Sequence, residues 1–251
     1  MTSPSISSTF ENASATTGPH PVRPATITVV IPTLNEADTI GELVDFFKAT
    51  IPDGLEIVVC DAGSRDDTVA IAEHHGARVL HSPRPGRAVQ MNHAARTVQT
   101  DYVYFVHADC RPPTTWHQEI QQAIKEGYKW GLFSYRFDSK NPLLRINERF
   151  VRFDNRLLGG GDQTLFIHRD TFLKLGGYDE SCILMEDFIF FWETKQKMPF
   201  KIILNDVLIS ARKYEQNNYI TVQLANLSMM LMHRFGFAQE RMARVYRWFL
   251  S

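Results

Sequence analysis

Ile27-Thr28-Val29-Val30-Ile31-Pro32 is the first of three apolar stretches in this sequence that run directly into polar residues. The second is Glu56-Ile57-Val58-Val59-Cys60-Asp61, and the third, Tyr102-Val103-Tyr104-Phe105-Val106, leads into His107-Ala108-Asp109. Each stretch has the pattern of a buried strand. In open α/β sheets, ligands bind at the carboxyl ends of the parallel strands. The polar residues that follow the three strands therefore predict a site for a nucleotide and a metal ion: Asn35, Asp61 and Asp109.

Helical patterns alternate with these strands as far as His107. Apolar residues recur at helical spacing from Ile40 to Phe47, with Asn35 as a cap and Pro52 near the end. Two further helices are predicted at 68–75 and 86–98, with a short strand at 78–80 between them. Such alternation implies a parallel, doubly wound sheet.

Beyond Pro112 the pattern is mixed. We expect helices at 116–124, 143–158 and 185–196, strands at 129–137, 163–167 and 201–204, and two helical pieces within 220–248, broken near Gly236. This division predicts a disordered tail at 1–24, a single α/β domain at 25–214, and a C-terminal helical extension at 215–251 that packs on or beside the domain.

Composition limits the class of protein. The chain has 251 residues, of which 44% are hydrophobic, and this is enough for a full core. A formal net charge of -1 argues against a general nucleic-acid binder. The scattered cysteines Cys60, Cys110 and Cys182 form neither a metal-ligand spacing nor a disulfide framework, so a cytoplasmic location is expected. No apolar run approaches the roughly 20 residues that span a bilayer.

Two strand-end acids suggest specific chemistry. A nucleobase edge with an N–H donor would satisfy Asp61, although the same carboxylate could instead cap the turn formed by Gly63 and Ser64. Asp109 offers oxygen ligands to a hard divalent cation, Mg²⁺ or Mn²⁺, that bridges to phosphate. His107 lies two residues earlier on the same side of an extended chain, where it ligates the metal, binds phosphate or is simply structural.

Four other segments are candidates for substrate contacts. Gly86-Arg87-Ala88-Val89-Gln90-Met91-Asn92 places glycine and a cation at a helix start, which suits an anion. In Gly159-Gly160-Gly161-Asp162-Gln163, the two polar residues can recognise a sugar hydroxyl, or the segment is a simple loop. Glu186 and Asp187 begin a helix, either for dipole reasons or because one acts as a general base. Arg212-Lys213-Tyr214 either clamps a diphosphate or is surface charge.

The order of these segments is more specific than any one of them. Ile31-Pro32-Thr33-Leu34-Asn35-Glu36, then Val59-Cys60-Asp61-Ala62-Gly63-Ser64-Arg65-Asp66-Asp67-Thr68, then His107-Ala108-Asp109 and Glu186-Asp187, resembles the family 2 glycosyltransferases. The likeness extends over about residues 26–214. It implies the GT-A fold, a Rossmann-like, mostly parallel sheet flanked by helices, here followed by C-terminal helices.

The resemblance also implies residue roles. The nucleotide would be held by nine residues: Pro32, Thr33, Glu36, Asp61, Ser64, Arg87, Asn92, Ala108 and Arg212. Asp61 would read uracil or another base, and Arg212 would face the departing diphosphate. Asp109 would be the retained acid of the metal motif, and from its position we expect His107 beside it to help hold Mg²⁺ or Mn²⁺. Asp187 would deprotonate the acceptor in an inverting transfer from a nucleoside-diphosphate sugar, and Asp162, Gln163 and Glu186 would contact acceptor or sugar.

One residue departs from the usual family pattern. The metal motif normally has two acids separated by one residue, and here the first is His107. A bacterial subgroup labelled in connection with arsenosugar biosynthesis and radical-SAM or selenium-related gene neighbourhoods is similar in this respect. It shares the Gly-Arg-Ala-x-Gln-Met-Asn, His-Ala-Asp and Gly-Asp-Gln blocks, which implies that His107 is a feature of the subgroup.

Other interpretations are weighed against the transferase. A degenerate, nucleotide-sugar-binding protein of the same fold is the first. A sugar-phosphate nucleotidyltransferase would need a Gly-rich loop after the first strand, and a dehydrogenase would need Gly-x-Gly-x-x-Gly, and this chain has neither. The apolar C-terminal helices predict a core or homodimer seam, or an interfacial helix whose Arg241, Arg244 and Arg247 face the anionic inner surface of a membrane.

Overall fold

The computed structural model describes residues 24–50, 54–150, 152 and 164–250 of the chain. The predicted tail at 1–24 lies outside them except for Pro24. Eight strands form one sheet in the described part: β1 Ile27–Thr33, β2 Glu56–Asp61, β3 Arg78–His81, β4 Tyr102–Phe105, β5 Cys110–Arg111, β6 Trp130–Phe137, β7 Leu165–His168 and β8 Lys201–Ile209.

Ten helices are described in the same ranges. They are α1 Ala37–Thr50, α2 Thr68–His74, α3 Arg87–Thr97, α4 Trp116–Lys125, α5 Leu144–Phe150, α6 Arg169–Lys174, α7 Glu186–Lys195, α8 Arg212–Gln216, α9 Tyr219–Arg234 and α10 Gln239–Phe249. None of these helices has both the length and the apolar composition needed to cross a membrane.

The sheet has the order β3-β2-β1-β4-β7-β6-β8-β5. Strands β1 to β4 are parallel and alternate with α1, α2 and α3, as the sequence pattern predicted. Strand β7 is antiparallel to both β4 and β6, while β6 and β8 are parallel. The α/β class with a mostly parallel sheet and C-terminal helices is therefore confirmed, and the antiparallel strand β7 joins two parallel parts.

Both faces of the sheet are covered, because successive side chains of β1 belong to different cores. Val29 and Ile31 pack in a cluster with α1 and α4, whereas Val30 packs in a second cluster with α3 and α7. Strands buried on both faces read as nearly continuous apolar runs. All seven residues of β1 are buried, and this explains why the first strand was so clear in the sequence.

Several local predictions are corrected. Asn35 does not cap α1, because the helix begins at Ala37 and the Asn35 side chain accepts a hydrogen bond from the backbone N–H of Arg65 at 2.8 Å. The two-residue strand β5 and the short helices α6 and α8 were not predicted, since each is shorter than the window in which periodicity is visible. The helix expected at 143–158 is observed as α5, and residues 151 and 153–158 lie outside the described ranges.

Candidate active site

A cleft of about 480 Å³ opens where β1 and β4 end. Its volume is in the range of small-molecule sites. Parallel strands bring their carboxyl ends to one edge of the sheet, and so residues from distant parts of the chain meet there. Eight of the predicted site residues line this cleft: Pro32, Thr33, Glu36, Arg87, His107, Ala108, Asp109 and Arg212.

Glu36 lies among charged neighbours in the cleft. Burial raises its pKa, and the nearby carboxylate of Asp109 adds to this effect. A hydrogen bond from Thr39 at 3.2 Å and the positive charge of Arg212 act in the opposite direction. These couplings place the end of β1, the end of β4 and the start of α8 around one space.

Asp61 is buried at the end of β2, only 2% exposed, and it caps the turn that follows. Its carboxylate accepts the backbone N–H groups of Gly63 at 2.8 Å and Ser64 at 2.9 Å, together with the hydroxyls of Ser64 and Thr33. Burial works to raise the pKa of Asp61, but these hydrogen bonds outweigh it and hold the pKa below its usual value. Asp61 therefore has protein partners for its carboxylate and does not need a nucleobase to satisfy it, contrary to the sequence-based expectation.

Ser64 and Asn92, which the sequence also predicted to bind the nucleotide, are not among the residues that line this cleft. Both form hydrogen bonds within the protein instead. The hydroxyl of Ser64 bonds Asp61 and accepts the backbone N–H of Asn35 at 2.8 Å, which ties the first two strand ends together. Asn92 is 1% exposed, and its amide bonds Tyr178 and Glu180. We correct the prediction for Asn92: it faces the interior on the side of α3 away from the cleft.

His107 and Asp109 follow β4 and line the cleft together. Asp109 is exposed, whereas desolvation, with a further contribution from the charge of Arg87, lowers the pKa of His107 to about 3. The imidazole is therefore neutral at neutral pH, the form that ligates metals. Within the ranges described, no three His, Cys, Asp or Glu side chains come together as a metal cage.

Asp187 and Glu186 occupy the first turn of α7, after Met185 in a left-handed conformation with φ 67°. Asp187 and Tyr178 line a small cavity of about 20 Å³, room for about one water molecule. His107 lines both this cavity and the cleft, so Asp187 and the cleft share His107 as a neighbour.

Glu186 does not face a sugar or acceptor, as the sequence had suggested. It is 2% exposed, and its carboxylate lies 2.8 Å from the guanidinium Nε of Arg87. Arg87 in turn is 46% exposed and lines the cleft at the start of α3, next to Gly86. Arg87 therefore brings a positive charge into the cleft from this helix start, where the sequence predicted an anion site. Asp162 and Gln163 lie outside the described residues.

Several residues of the cleft wall had no role in the sequence-based prediction, among them Gln90, Phe137 and Ile183. Gln90 stood within the quoted Gly86 to Asn92 block without a role, and a polar residue among small apolar ones at helical spacing was the available signal. Phe137 and Ile183 carry no such signal, because only the tertiary fold brings them to the cleft.

Comparison with known proteins gives a family match. The family described as "Glycosyl transferase family 2" matches residues 28–177, more than half of the chain. The matched part includes β1 to β4 and the residues of the cleft wall that these strands deliver. It ends before Asp187 and Arg212.

Two curated relatives match shorter segments. An uncharacterised glycosyltransferase of Mycobacterium bovis is 36% identical over 83 residues, which are 33% of this chain and 36% of that protein. Glucosyl-3-phosphoglycerate synthase of Mycolicibacterium paratuberculosis is 38% identical over 98 residues, which are 35% of this chain and 30% of the synthase. The matched segment thus spans about a third of the length of these relatives.

A solved structure shows the same fold. It is glucosyl-3-phosphoglycerate synthase from Mycobacterium tuberculosis in complex with Mn²⁺, uridine diphosphate and glucosyl-3-phosphoglycerate. The TM-score is 0.57 at 20% identity, over 85% of this chain and 81% of that one. At this identity the likeness establishes the fold, which is the expected GT-A arrangement.

Proposed function

Because the chain belongs to glycosyl transferase family 2, we propose that it transfers a sugar from a nucleoside diphosphate to an acceptor. The observation that carries this proposal is the cleft at the ends of β1 and β4, which joins Asp109, Arg87 and Arg212 in one wall. A pyrophosphate needs cationic partners, and the two guanidinium groups are suited to it. The sugar is a hexose in this proposal, and uridine diphosphate is its carrier; a synthase of the same fold was crystallised in complex with UDP-glucose.

The base and ribose belong at the end of β1. Pro32, Thr33 and Glu36 line the cleft there, beside Ala62 from the turn that Asp61 caps. Asp61 and Ser64 support this pocket by fixing the turn after β2, and in the proposal a base contact to Asp61 comes in addition to its protein partners. Ala108 also lines the cleft, between His107 and Asp109 in sequence, and in this proposal it separates the nucleotide from the metal.

The donor set of the cleft fits a hard divalent cation. Asp109 is an exposed carboxylate and His107 a neutral imidazole on the same wall, and these two residues would hold Mg²⁺ or Mn²⁺. When bound, the ion would neutralise charge that develops on the diphosphate. The synthase with the same fold was crystallised with Mn²⁺ in one complex and with Mg²⁺ in another.

The proposed reaction is a single displacement. The acceptor oxygen forms a bond to the anomeric carbon while the bond between that carbon and the phosphate oxygen breaks, and the diphosphate leaves with the electron pair. Asp187 takes the acceptor proton, and Arg212 stabilises the negative charge on the leaving diphosphate. Attack opposite the leaving group inverts the anomeric configuration.

A release assay tests this function. The protein is incubated with Mn²⁺ and UDP-glucose, UDP-galactose, UDP-N-acetylglucosamine or GDP-mannose, with water as the acceptor of the sugar, and free nucleoside diphosphate is measured. Asp187→Asn should lower turnover by about 10²–10⁴-fold, because it removes the base, and should leave UDP affinity unchanged. Asp170→Asn is the matched control, since Asp170 is also an acid in a first helical turn.

The outcomes separate the competing interpretations. Normal turnover by Asp187→Asn would show that the base is assigned incorrectly. UDP binding by the wild-type protein with no turnover of any donor would favour the binding protein of the same fold. The subgroup connected with arsenosugar biosynthesis remains part of the proposal, supported by the blocks at 86–92 and 107–109.

We further propose that the extension at 215–251 packs on the domain and joins two copies of the chain. Helix α9 buries Val222, Ala225 and Met229. Four apolar side chains on the opposite side are 48% to 64% exposed, namely Ile220, Leu224, Leu227 and Leu231. Residues 219–232 contain no charged side chain, and this favours a homodimer seam over an anionic lipid surface.

Sedimentation velocity tests the dimer. The wild-type protein should sediment as a dimer, and Leu224→Glu with Leu231→Glu should yield a folded monomer. A wild-type monomer at all concentrations that instead co-sediments with anionic vesicles would contradict the dimer and favour the interfacial helix with Arg241, Arg244 and Arg247. A cytoplasmic location, which we also propose, agrees with Cys60, Cys110 and Cys182, which form no disulfide with one another.

A further inference from the structure

Helix α3 is buried almost all round, although the sequence marks it as polar at several positions. Seven of its eleven residues are buried, and they include the amides Gln90 and Asn92. These two residues are two positions apart, so their side chains leave the helix axis in directions about 200° apart. A buried amide without partners is costly, and each of the two finds its partners on a different side of the helix.

Gln90 bonds the ends of the two strands that form the nucleotide pocket. Its side-chain nitrogen donates to the carbonyl oxygens of Thr33 and Cys60, both at 2.7 Å. Thr33 ends β1, and Cys60 directly precedes Asp61 at the end of β2. Gln90 also lines the cleft itself. The Gln90 amide therefore fixes the distance between the end of β1 and the end of β2.

Asn92 bonds the beginning of the segment 177–187 that ends in Asp187. Its side-chain oxygen accepts the backbone N–H of Tyr178 at 2.9 Å, and its nitrogen donates to the carbonyl of the same residue at 2.8 Å. The nitrogen also donates to the carboxylate of Glu180 at 3.0 Å. Gly177 allows this approach, since a Cβ there would lie 2.5 Å from the Asn92 oxygen.

The other end of the segment is held by the same helix. Arg87 in the first turn of α3 lies 2.8 Å from Glu186, the neighbour of Asp187. Tyr178 and Asp187 line the same small cavity, so the position that Asn92 holds is close to the proposed base. The charge of Asp187 contributes, after burial, to the high pKa of Tyr178, and this agrees with that proximity.

We infer that α3 is a two-sided positioning helix, in which Gln90 sets the nucleotide pocket and Asn92 sets the segment that carries Asp187. This inference rests on the proposed transferase function. Gln90 and Asn92, two residues of the block 86–92, thus have different roles. Each acts by positioning other groups, and neither reacts with the substrate. A merely structural role for the block would make both residues equivalent in their effect on catalysis.

Two variants of nearly unchanged volume test the inference on the full chain. In Gln90→Met, the UDP dissociation constant and the KM for UDP-glucose should rise about tenfold, with kcat changed less than threefold. In Asn92→Leu, kcat should fall about tenfold or more, with the UDP dissociation constant changed less than twofold. All assays are run well below the lowest melting temperature of the set.

Gln121→Met is the matched control. Its amide bonds the backbone of Ala25 at 2.6 Å, next to the amino end of β1 and far from the cleft. Loss of this bond should lower the melting temperature while both kinetic constants stay unchanged. If Asn92→Leu does not fold, Asn92→Asp replaces it: this variant keeps the acceptor for the Tyr178 N–H, removes the donor, and adds a negative charge beside Glu180.

The inference is supported if Gln90→Met changes mainly the UDP dissociation constant and Asn92→Leu changes mainly kcat. Equal effects of the two variants on the UDP dissociation constant and on kcat overturn it. A loss of UDP affinity in the Asn92 variant would also overturn it. If the wild-type protein binds UDP but turns over no donor, the proposed function fails by itself. UDP affinity then still decides the inference, because only the Gln90 variant should change it.

Discussion

The carboxylate of Asp61 accepts four hydrogen bonds from its own turn and from β1. Two of the donors are the backbone N–H groups of Gly63 and Ser64, which would lose this acceptor if Asp61 were replaced. The residue therefore stabilises the nucleotide pocket whether or not it also contacts a base. The role that the structure demonstrates for Asp61 is to stabilise the turn after β2.

Replacing Asp61 by Ala should lower the free energy of unfolding by about 2 kcal/mol, because buried donors lose their acceptor. Urea unfolding at neutral pH measures this change. Asp67→Ala is the control: Asp67 is exposed before α2, and its side chain makes no capping hydrogen bond. It should change stability by less than about 0.5 kcal/mol. Equal losses in the two variants would contradict the capping role.

Single residues show where sequence reasoning succeeded and where it could not. His107 and Asp109 do line one cleft, but the extended chain expected there is not observed: β4 ends at Phe105, and a turn, closed by a hydrogen bond from the Cys110 N–H to the His107 carbonyl at 3.0 Å, brings the two side chains together. Asn92 and Glu186 were misplaced for a common reason. Each is polar and near the site in sequence, but the direction of a helical side chain depends on which face packs, and this is a tertiary property.

At the scale of elements, strand β6 is held tightly between β7 and β8. Gly131 pairs with Phe166 on one side and Lys201 on the other. A Cβ at Gly131 would lie 2.4 Å from the backbone oxygen of Lys201 and 2.6 Å from the Phe166 ring. Such contacts are shorter than any that a real methyl group makes, so one of the strands would have to shift.

Gly131→Ala should therefore destabilise the protein by about 3 kcal/mol through overpacking. Gly127→Ala provides the comparison, since Gly127 has φ +91° but no atom within 4 Å of an added Cβ. That variant should lose only about 1 kcal/mol from backbone strain. Thermal unfolding of both proteins decides the matter, and a Gly131 variant as stable as the Gly127 variant would show that β6 is not confined in this way.

The elements that could be predicted share one property. Strands β1, β2 and β4 are buried on both faces and form nearly continuous apolar runs, and the helices between them have a clear period. The pairing of the second half of the sheet could not be predicted in this way, because β7 lies antiparallel between β4 and β6, and only the tertiary fold sets that arrangement. Strand β5 and helix α8 are too short to show a period, so only tertiary pairing defines them.

For the whole molecule, the C-terminal helices reach the segment that carries the proposed base. The side-chain oxygen of Gln239, the first residue of α10, accepts the backbone N–H groups of Ile183 at 3.0 Å and Leu184 at 3.1 Å. The segment 177–187 is thus held from α3 on one side and from α10 on the other. The extension is linked to the site through this contact.

Gln239→Leu should lower turnover several-fold and leave UDP affinity unchanged, because it frees the segment before Asp187, which reaches the cleft at Ile183 and not at the proposed nucleotide residues Pro32, Thr33 and Glu36. Steady-state kinetics and calorimetric titration with UDP measure the two effects. Gln216→Leu, at the exposed end of α8, is the control and should resemble the wild-type protein. A Gln239 variant with unchanged kcat would separate the extension from catalysis.

X-ray diffraction from crystals of the full chain grown with UDP and Mn²⁺, recorded near the manganese absorption edge, tests the nucleotide and metal site most directly. The anomalous map should show manganese at the Asp109 carboxylate, with diphosphate density between the metal and Arg212 and the uracil beside Pro32. A nucleotide bound elsewhere on the protein, or a cleft that stays empty at saturating UDP and Mn²⁺, would contradict the account.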